Sequence, residues 1–238
     1  PPQNLDEMLN RFAQKTQQCL PIRIGCFACL NMKCVGKNFL PKYYVGQEES
    51  RLESPRIIGR TNDLVRKLRD NKVDYNLEFL LADTDVYDVY GNYLINKDNT
   101  KEIRWYSQKL ARKITNDQPD SKLSNWSDIQ SPYQRQYQKD FDYVYNNCEK
   151  LVGKEYLERS YNRRYQYFRG QVGLPDSESM RFICYDTAKR NVALYAAQGP
   201  VLNKEFDCIL IADPDPTRMG MLQSLLCPDL PIWYAFPG

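Results

Sequence analysis

The sequence contains no histidine. That absence removes Ser-His-Asp and Cys-His catalysis, histidine-ligated metals and imidazole acid–base steps, and leaves chemistry to Cys, Tyr, Asp, Glu, Lys or groups on a substrate. Long hydrophobic runs are missing too. Mean hydropathy is −0.67, and no apolar stretch approaches the roughly 20 residues needed to cross a bilayer, so no membrane partner is expected. The first apolar run is not followed by a glycine-rich loop, which counts against dinucleotides and cofactor phosphates. No cofactor is expected. Charge of one sign is scarce: 33 Lys and Arg face 30 Asp and Glu, a net +3, too little to coat DNA through bulk charge. Any nucleic-acid contact must come from local patches. The opening stretch PPQNLDEMLNRFAQKTQQCL lacks the basic-then-apolar layout of a secretory signal, and the chain reads as cytoplasmic.

What is present suits one α/β domain over residues 1–238, with 42% hydrophobic residues to cover a sheet. Residues 22–30, IRIGCFACL, form an apolar run with a glycine inside, the mark of a buried strand that something approaches closely. Leu64, Val65 and Leu68 recur at helical spacing in TNDLVRKLRDN, and LEFLLADTDVYD gives a second buried strand ending in carboxylates. Strand, helix, strand predicts a parallel pair whose carboxyl ends share one edge, where α/β proteins bind ligands. From Lys101 to Thr115 the pattern predicts an amphipathic helix with a basic side. A Tyr-rich helical region is expected from about 130 to 169. SESMRFICYDTAKRNVALYAAQ predicts a further helix, capped by Asp176 and Ser177. FDCILIA, 206–212, predicts a third buried strand stopped by Pro214 and Pro216, and LPIWYAFPG reads as extended.

Three constellations carry chemistry. Cys26-x-x-Cys29, with Cys19 and Cys34 nearby, has the makings of a four-thiolate zinc site or a redox pair. Two packed thiols are the plainer reading, since alternate strand side chains point to opposite faces. No metal is expected. Asp83, Asp85 and Asp88 could bind a ribose, a metal or an ammonium group, or only cap a turn. Two basic surfaces follow. One carries Lys101, Arg104, Lys109, Arg112 and Lys113; the other interleaves Arg159, Arg163, Arg164 and Arg169 with Tyr161, Tyr165, Tyr167 and Phe168. Both suit RNA, because cations neutralise phosphates while rings stack on bases, and both also suit a solvated helix face.

The order IRIGCFACLN, helix, LLADTDVYDVYG, basic helix, SDIQSPYQRQYQKDFDYVYNNCEKLV, then a helix ending ALYAAQGPVL resembles the tRNA-dependent cyclodipeptide synthases over most of the chain. That resemblance implies a Rossmann-like parallel sheet flanked by helices, similar to the catalytic domain of class I aminoacyl-tRNA synthetases. It implies a transferase of secondary metabolism that takes two aminoacyl-tRNAs in turn and joins their amino acids into a diketopiperazine through an acyl-enzyme, without ATP. The family's G-x-S-x-G-N motif falls on Gly25 to Asn31, one residue longer here. The serine position falls on Phe27 counted from the glycine and on Ala28 counted from the asparagine, and neither can be acylated. Cys29 or Cys26 could replace the serine as a thiolate. The family's Y-x-x-x-E-x-P motif becomes Leu194-x-x-x-Gln198-x-Pro200, with Tyr195 one place out of step. Gln198 can hydrogen-bond an amine but cannot take its proton, and Tyr195 shares its helix face.

The resemblance therefore assigns Ala28, Cys29, Cys26, Tyr195 and Gln198 to the catalytic centre and Gly25, Phe27, Asn31, Asp83 and Asp85 to the substrate pocket. It assigns the helix from Lys101, with Arg163 and Arg164, to tRNA. A eukaryotic branch of the family uses arginyl-tRNA, whose guanidinium could pair with Asp83, Asp85 or Asp88. Two other readings stand beside a working synthase. One is a catalytically weak or inactivated homologue that still binds aminoacyl-tRNA; the other is a different Rossmann-like transferase, such as a methyltransferase using Asp83 for a ribose.

Overall fold

The structure is a computed structural model and describes residues 4–28, 32–35, 38–41, 54–81, 112, 116, 119–172, 175–211 and 216–234. In chain order the elements are α1 (Leu5–Gln17), β1 (Ile22–Ala28), β2 (Met32–Val35), β3 (Asn38–Pro41), α2 (Ser54–Asp70), β4 (Tyr75–Leu81) and β5 (Lys122–Asn125). They continue with α3 (Trp126–Gln130), α4 (Gln134–Asn146), α5 (Cys148–Val152), α6 (Lys154–Tyr167), α7 (Glu178–Glu205), β6 (Cys208–Ile211), α8 (Pro216–Gln223) and β7 (Ile232–Tyr234).

Five strands form one parallel sheet in the order β5-β4-β1-β6-β7. Numbered by their own succession they run 3-2-1-4-5, the Rossmann-like order. β1 is central, paired along its length with β4 from Ile22↔Tyr75 to Ala28↔Leu81, and with β6 through Ile24↔Cys208 to Cys26↔Leu210. β2 and β3 form a separate antiparallel pair.

Strand alternation sorts the core onto two faces. Ile22, Ile24 and Cys26 of β1, with Leu77, Phe79 and Leu81 of β4, pack on Leu64, Val65 and Leu68 of α2. On the opposite face Leu80, Ile209, Ile211 and Ile232 pack on Ala197, Val201 and Leu202 of α7, with Trp126 and Tyr137. Both faces of the sheet are thus covered, which is why β4 and β6 read as near-continuous apolar runs.

The helices depart from the sequence expectation in three places. α2 begins at Ser54, earlier than the periodicity indicated, with Pro55 in its first turn, where a proline costs no hydrogen bond. The Tyr-rich region is broken into α4, α5 and α6. Gly153, at φ 82, separates the last two because an L side chain is strained there. α7 does not end at Gln198 but runs through Gly199 and Pro200 to Glu205. Packing keeps it helical where propensity alone would end it: every residue from Val192 to Leu202 is buried except Tyr195 and Pro200. Its start is as expected, the Ser177 hydroxyl accepting from the Met180 amide at 3.2 Å.

The second buried strand is described only as far as Leu81, and the expected helix from Lys101 lies outside the described residues apart from Arg112. Among the described residues no helix is long and apolar enough to cross a membrane.

Candidate functional site

In a sheet of this order the connections reverse direction between β1 and β6, and the crevice beyond their carboxyl ends is the ligand position. Those ends are Ala28 and Ile211. The helix that precedes β6 and packs on its face is α7. Its carboxyl end is tied to the opposite, amino edge of the sheet: Arg23 Nη2 lies 3.0 Å from Glu205 Oε2, and the Tyr133 hydroxyl donates to the same carboxylate. These partners outweigh burial, which alone would raise it, and hold the Glu205 carboxyl below its ordinary pKa. At 1.5 Å per residue Gln198 then stands about 10 Å above Glu205, level with the strand ends, since β6 climbs about the same distance over its four residues.

One side of α7 carries the polar series Thr187, Asn191, Tyr195 and Gln198, spaced three or four apart and so stacked on one face. Thr187 is buried and donates to the Ile183 carbonyl at 2.6 Å. Asn191 and Tyr195 are half-buried. Gln198 is fully buried, and its Oε1 accepts from Nε2 of Gln223, itself fully buried at the end of α8, at 3.1 Å. The Gln223 Oε1 is buried without a hydrogen-bond partner. The two helices meet closely here. A Cβ on Gly199 would lie 1.9 Å from the Gln223 carbonyl oxygen, so only glycine lets α8 reach the amide of Gln198.

The motif glycine Gly25 is closely approached from one side. A Cβ there would meet the Phe206 ring at 2.9 Å and Ile209 at 3.1 Å. On that side the close approach is made by the segment leaving α7.

Cys26 lies on the α2 face, fully buried, and burial pushes its thiol up to about 12. It is protonated at neutral pH, and the sheet separates it from Tyr195 and Gln198, which belong to the opposite layer. Phe27 and Ala28 close β1 opposite Leu80 and Leu81. Cys29, Asn31, Asp83, Asp85 and Asp88 lie outside the described residues, as do Lys101, Arg104, Lys109 and Lys113. Arg112 is an exposed residue in helical conformation. Arg163 is exposed on α6, whereas Arg164 is half-buried with Nη1 donating to Ser160 Oγ at 2.8 Å. Cys19, Cys26, Cys148, Cys184, Cys208 and Cys227 are thiols outside any disulfide. Among the described residues no group of three or more Cys, Asp or Glu could hold a metal.

Sequence reasoning missed Gln223. Its only local signal is one amide in the apolar stretch MLQSLL, which reads equally well as a helix surface.

No protein-family model and no curated protein sequence matches the chain. Solved structures do. The chain is similar to the PvcA protein of Pseudomonas aeruginosa, with 14% identity over 93% of this chain and 74% of that one, at a TM-score of 0.54. It is also similar to a cyclodipeptide synthase from Candidatus Glomeribacter gigasporarum solved bound to Phe-tRNA, with 13% identity over 92% and 89% of the two chains, at a TM-score of 0.52. At these identities the likeness establishes a shared Rossmann-like α/β fold.

Proposed function

We propose that this chain binds aminoacyl-tRNA and transfers its aminoacyl group, acting as a tRNA-dependent cyclodipeptide synthase. The observation that carries the reading is the position of Tyr195 and Gln198. They lie one turn apart on the helix that packs on the face of β6 and leads into it, in a fold shared with a synthase solved on a charged tRNA. Two aminoacyl-tRNAs are used in turn in the cytoplasm, with no cofactor, membrane or DNA, because the ester bond already carries the activation.

In this reading Cys29 is the nucleophile, since Cys26 is a buried, protonated thiol on the far face. The Cys29 thiolate attacks the ester carbonyl, and the ribose hydroxyl leaves with a proton from solvent. The amine of the second aminoacyl-tRNA attacks the thioester and releases the thiol. The remaining amine then attacks the second ester, closing the ring and freeing the second tRNA. Tyr195 and the Gln198 amide position the amine. Asp83 and Asp85, with Gly25, Phe27 and Asn31, belong to the substrate pocket, and the Lys101 helix with Arg163 and Arg164 to the tRNA surface.

Protein incubated with a full set of charged tRNAs is expected to yield a cyclic dipeptide by mass spectrometry, and Cys29→Ala to abolish it. Absence of any cyclic dipeptide across the set sinks the synthase reading.

One observation favours a second reading, an inactivated homologue that only binds aminoacyl-tRNA. Where the family's glutamate would stand, a neutral amide is already engaged with another neutral amide. The combined variant Ala28→Ser/Gln198→Glu separates the two: gained activity identifies a disabled enzyme, and tRNA binding without gain favours a binder.

A further inference from the structure

Helix α8 follows β6 in the chain, beyond the carboxyl end of that strand, and its last residue, Gln223, returns to α7. There it meets Gln198, both side chains at 0% exposure, with Nε2 of Gln223 donating to Oε1 of Gln198 at 3.1 Å. The contact uses half of the Gln223 amide. Its Oε1 is buried and accepts no hydrogen bond. An amide oxygen offers two acceptor positions, and native interiors seldom leave such a group unpaired, because doing so lowers the folding equilibrium about 10-fold or more.

This oxygen is held where it is. Turning the Gln223 amide over would only set its Oε1 against the Gln198 oxygen. The backbone cannot carry it elsewhere either, because two glycines wedge α8 in place. A Cβ on Gly199 would strike the Gln223 carbonyl oxygen, and one on Gly220 would strike the hydroxyl of Tyr234, the last residue of β7. Half-buried residues border the pair, Tyr195 one turn before Gln198 and residues 224–227 directly after Gln223, so it lies close beneath the surface.

What fills this position must donate a hydrogen bond. In an aminoacyl ester the carbonyl and ester oxygens only accept, and the donor beside the reacting carbonyl is the amino group. We propose that Gln223 Oε1 accepts a hydrogen bond from the amino group of the bound aminoacyl moiety, so that Gln223 of α8, together with Gln198, binds and orients the substrate amine. The identity of the donor rests on the aminoacyl-tRNA reading above; the need for a donor rests on the buried oxygen alone.

The test uses the full chain and two kinds of probe. One is a panel of amino acid methyl esters, each beside its des-amino ester, in thermal-shift titrations. The other is tRNA carrying an amide-linked aminoacyl group, beside the same tRNA carrying the des-amino acyl group, in fluorescence anisotropy. Wild type is expected to bind at least one amino probe of each kind about 10-fold more tightly than its des-amino counterpart. Gln223→Met keeps the shape and removes the oxygen, and is expected to lose that preference while binding the des-amino probes as wild type does. Gln223→Glu keeps an oxygen in place and is expected to retain the preference, a recovery that a purely structural role would not give. Equal preference in wild type and Gln223→Met overturns the assignment, as does absence of any preference in wild type. Destabilisation of ligand-free Gln223→Met as large as that of Gln198→Met marks a water already on the oxygen and also overturns it. Wild type that prefers the amino esters but binds no tRNA upholds the acceptor and overturns the aminoacyl-tRNA reading. Aminoacyl-tRNA binding that is the same in wild type and Gln223→Met does the reverse.

Discussion

One hydrogen bond joins Gln198 to Gln223, yet removing it from either end is expected to have unequal effects. Both side chains are fully buried, Gln223 Nε2 donates to Gln198 Oε1 at 3.1 Å, and Gln223 Oε1 has no partner. Methionine has nearly the shape of glutamine without its polar atoms, so the substitution isolates the polar part. Gln198→Met strands the Gln223 N–H beside an oxygen that was already stranded. A buried polar group left unpaired costs about 1–3 kcal/mol, and Gln198 also loses a further interaction. Gln223→Met strands the Gln198 oxygen at the same cost, but it also removes the oxygen that had no partner to begin with, and the two terms nearly cancel. The two single variants should therefore differ by about 2 kcal/mol. In a chain of this size that is a gap of about 4–8 °C in melting temperature, and the double variant should lie near Gln223→Met or above it. Thermal melts with urea titrations at neutral pH measure this. Equal destabilisation by the two single variants would refute the reasoning, because it would mean that Gln223 Oε1 is satisfied.

Alanine at a helical glycine ordinarily stabilises by about 1 kcal/mol, but Gly199→Ala is expected to cost about 3 kcal/mol or more, because its Cβ would meet backbone at 1.9 Å. Gly25→Ala should cost less, since Phe206 and Ile209 are side chains that can shift; calorimetry of both variants checks the order. Site-resolved alkylation at pH 8 should modify exposed Cys19 rapidly and spare Cys26 and Cys208, whose thiols burial pushes up to about 12. Cys148 and Cys184, pushed up to about 11, should also react slowly. Modification of Cys26 as fast as Cys19 would contradict its place under α2.

The three buried strands were legible because each is covered on both faces and so reads as an apolar run, whatever its neighbours. β5 was not. Its residues KLSN are half-buried or exposed at the sheet edge, and Lys122 lies there because it pairs with the buried Glu78 carboxylate at 2.9 Å. The pairing of Tyr195 with Gln198 was legible from helical spacing alone. The extension of α7 past Gly199 and Pro200 was not, since both residues argue locally for an end. The partner of Gln198 lies 25 residues further along, where no local pattern points back to it. Gly25 was correctly marked as a place of close approach, but sequence spacing carries no information on what approaches, and Phe206 reaches it only through the crossover into β6.

The contrast between an amide and a carboxylate at position 198 can be tested without any substrate. A glutamate there would sit at 0% exposure, with the Gln223 N–H as a donor. Desolvation disfavours the charged form, so the carboxyl pKa of a Gln198→Glu variant should rise above the unfolded value of about 4.3. A group with a raised folded pKa leaves stability intact below its unfolded pKa and removes it as pH climbs toward the folded value, by about 1.4 kcal/mol per pH unit. The variant should therefore match wild type near pH 4 and fall progressively behind it toward neutrality. Addition of a ligand that brings an ammonium group to position 198 should recover the difference, because the pair restores the charged carboxylate. Melting temperatures of the two proteins from pH 4 to 8, with and without an aminoacyl ester, measure both effects. A constant offset across that range would show that position 198 is hydrated, and would remove the ground for treating its neutral amide as a feature of the site.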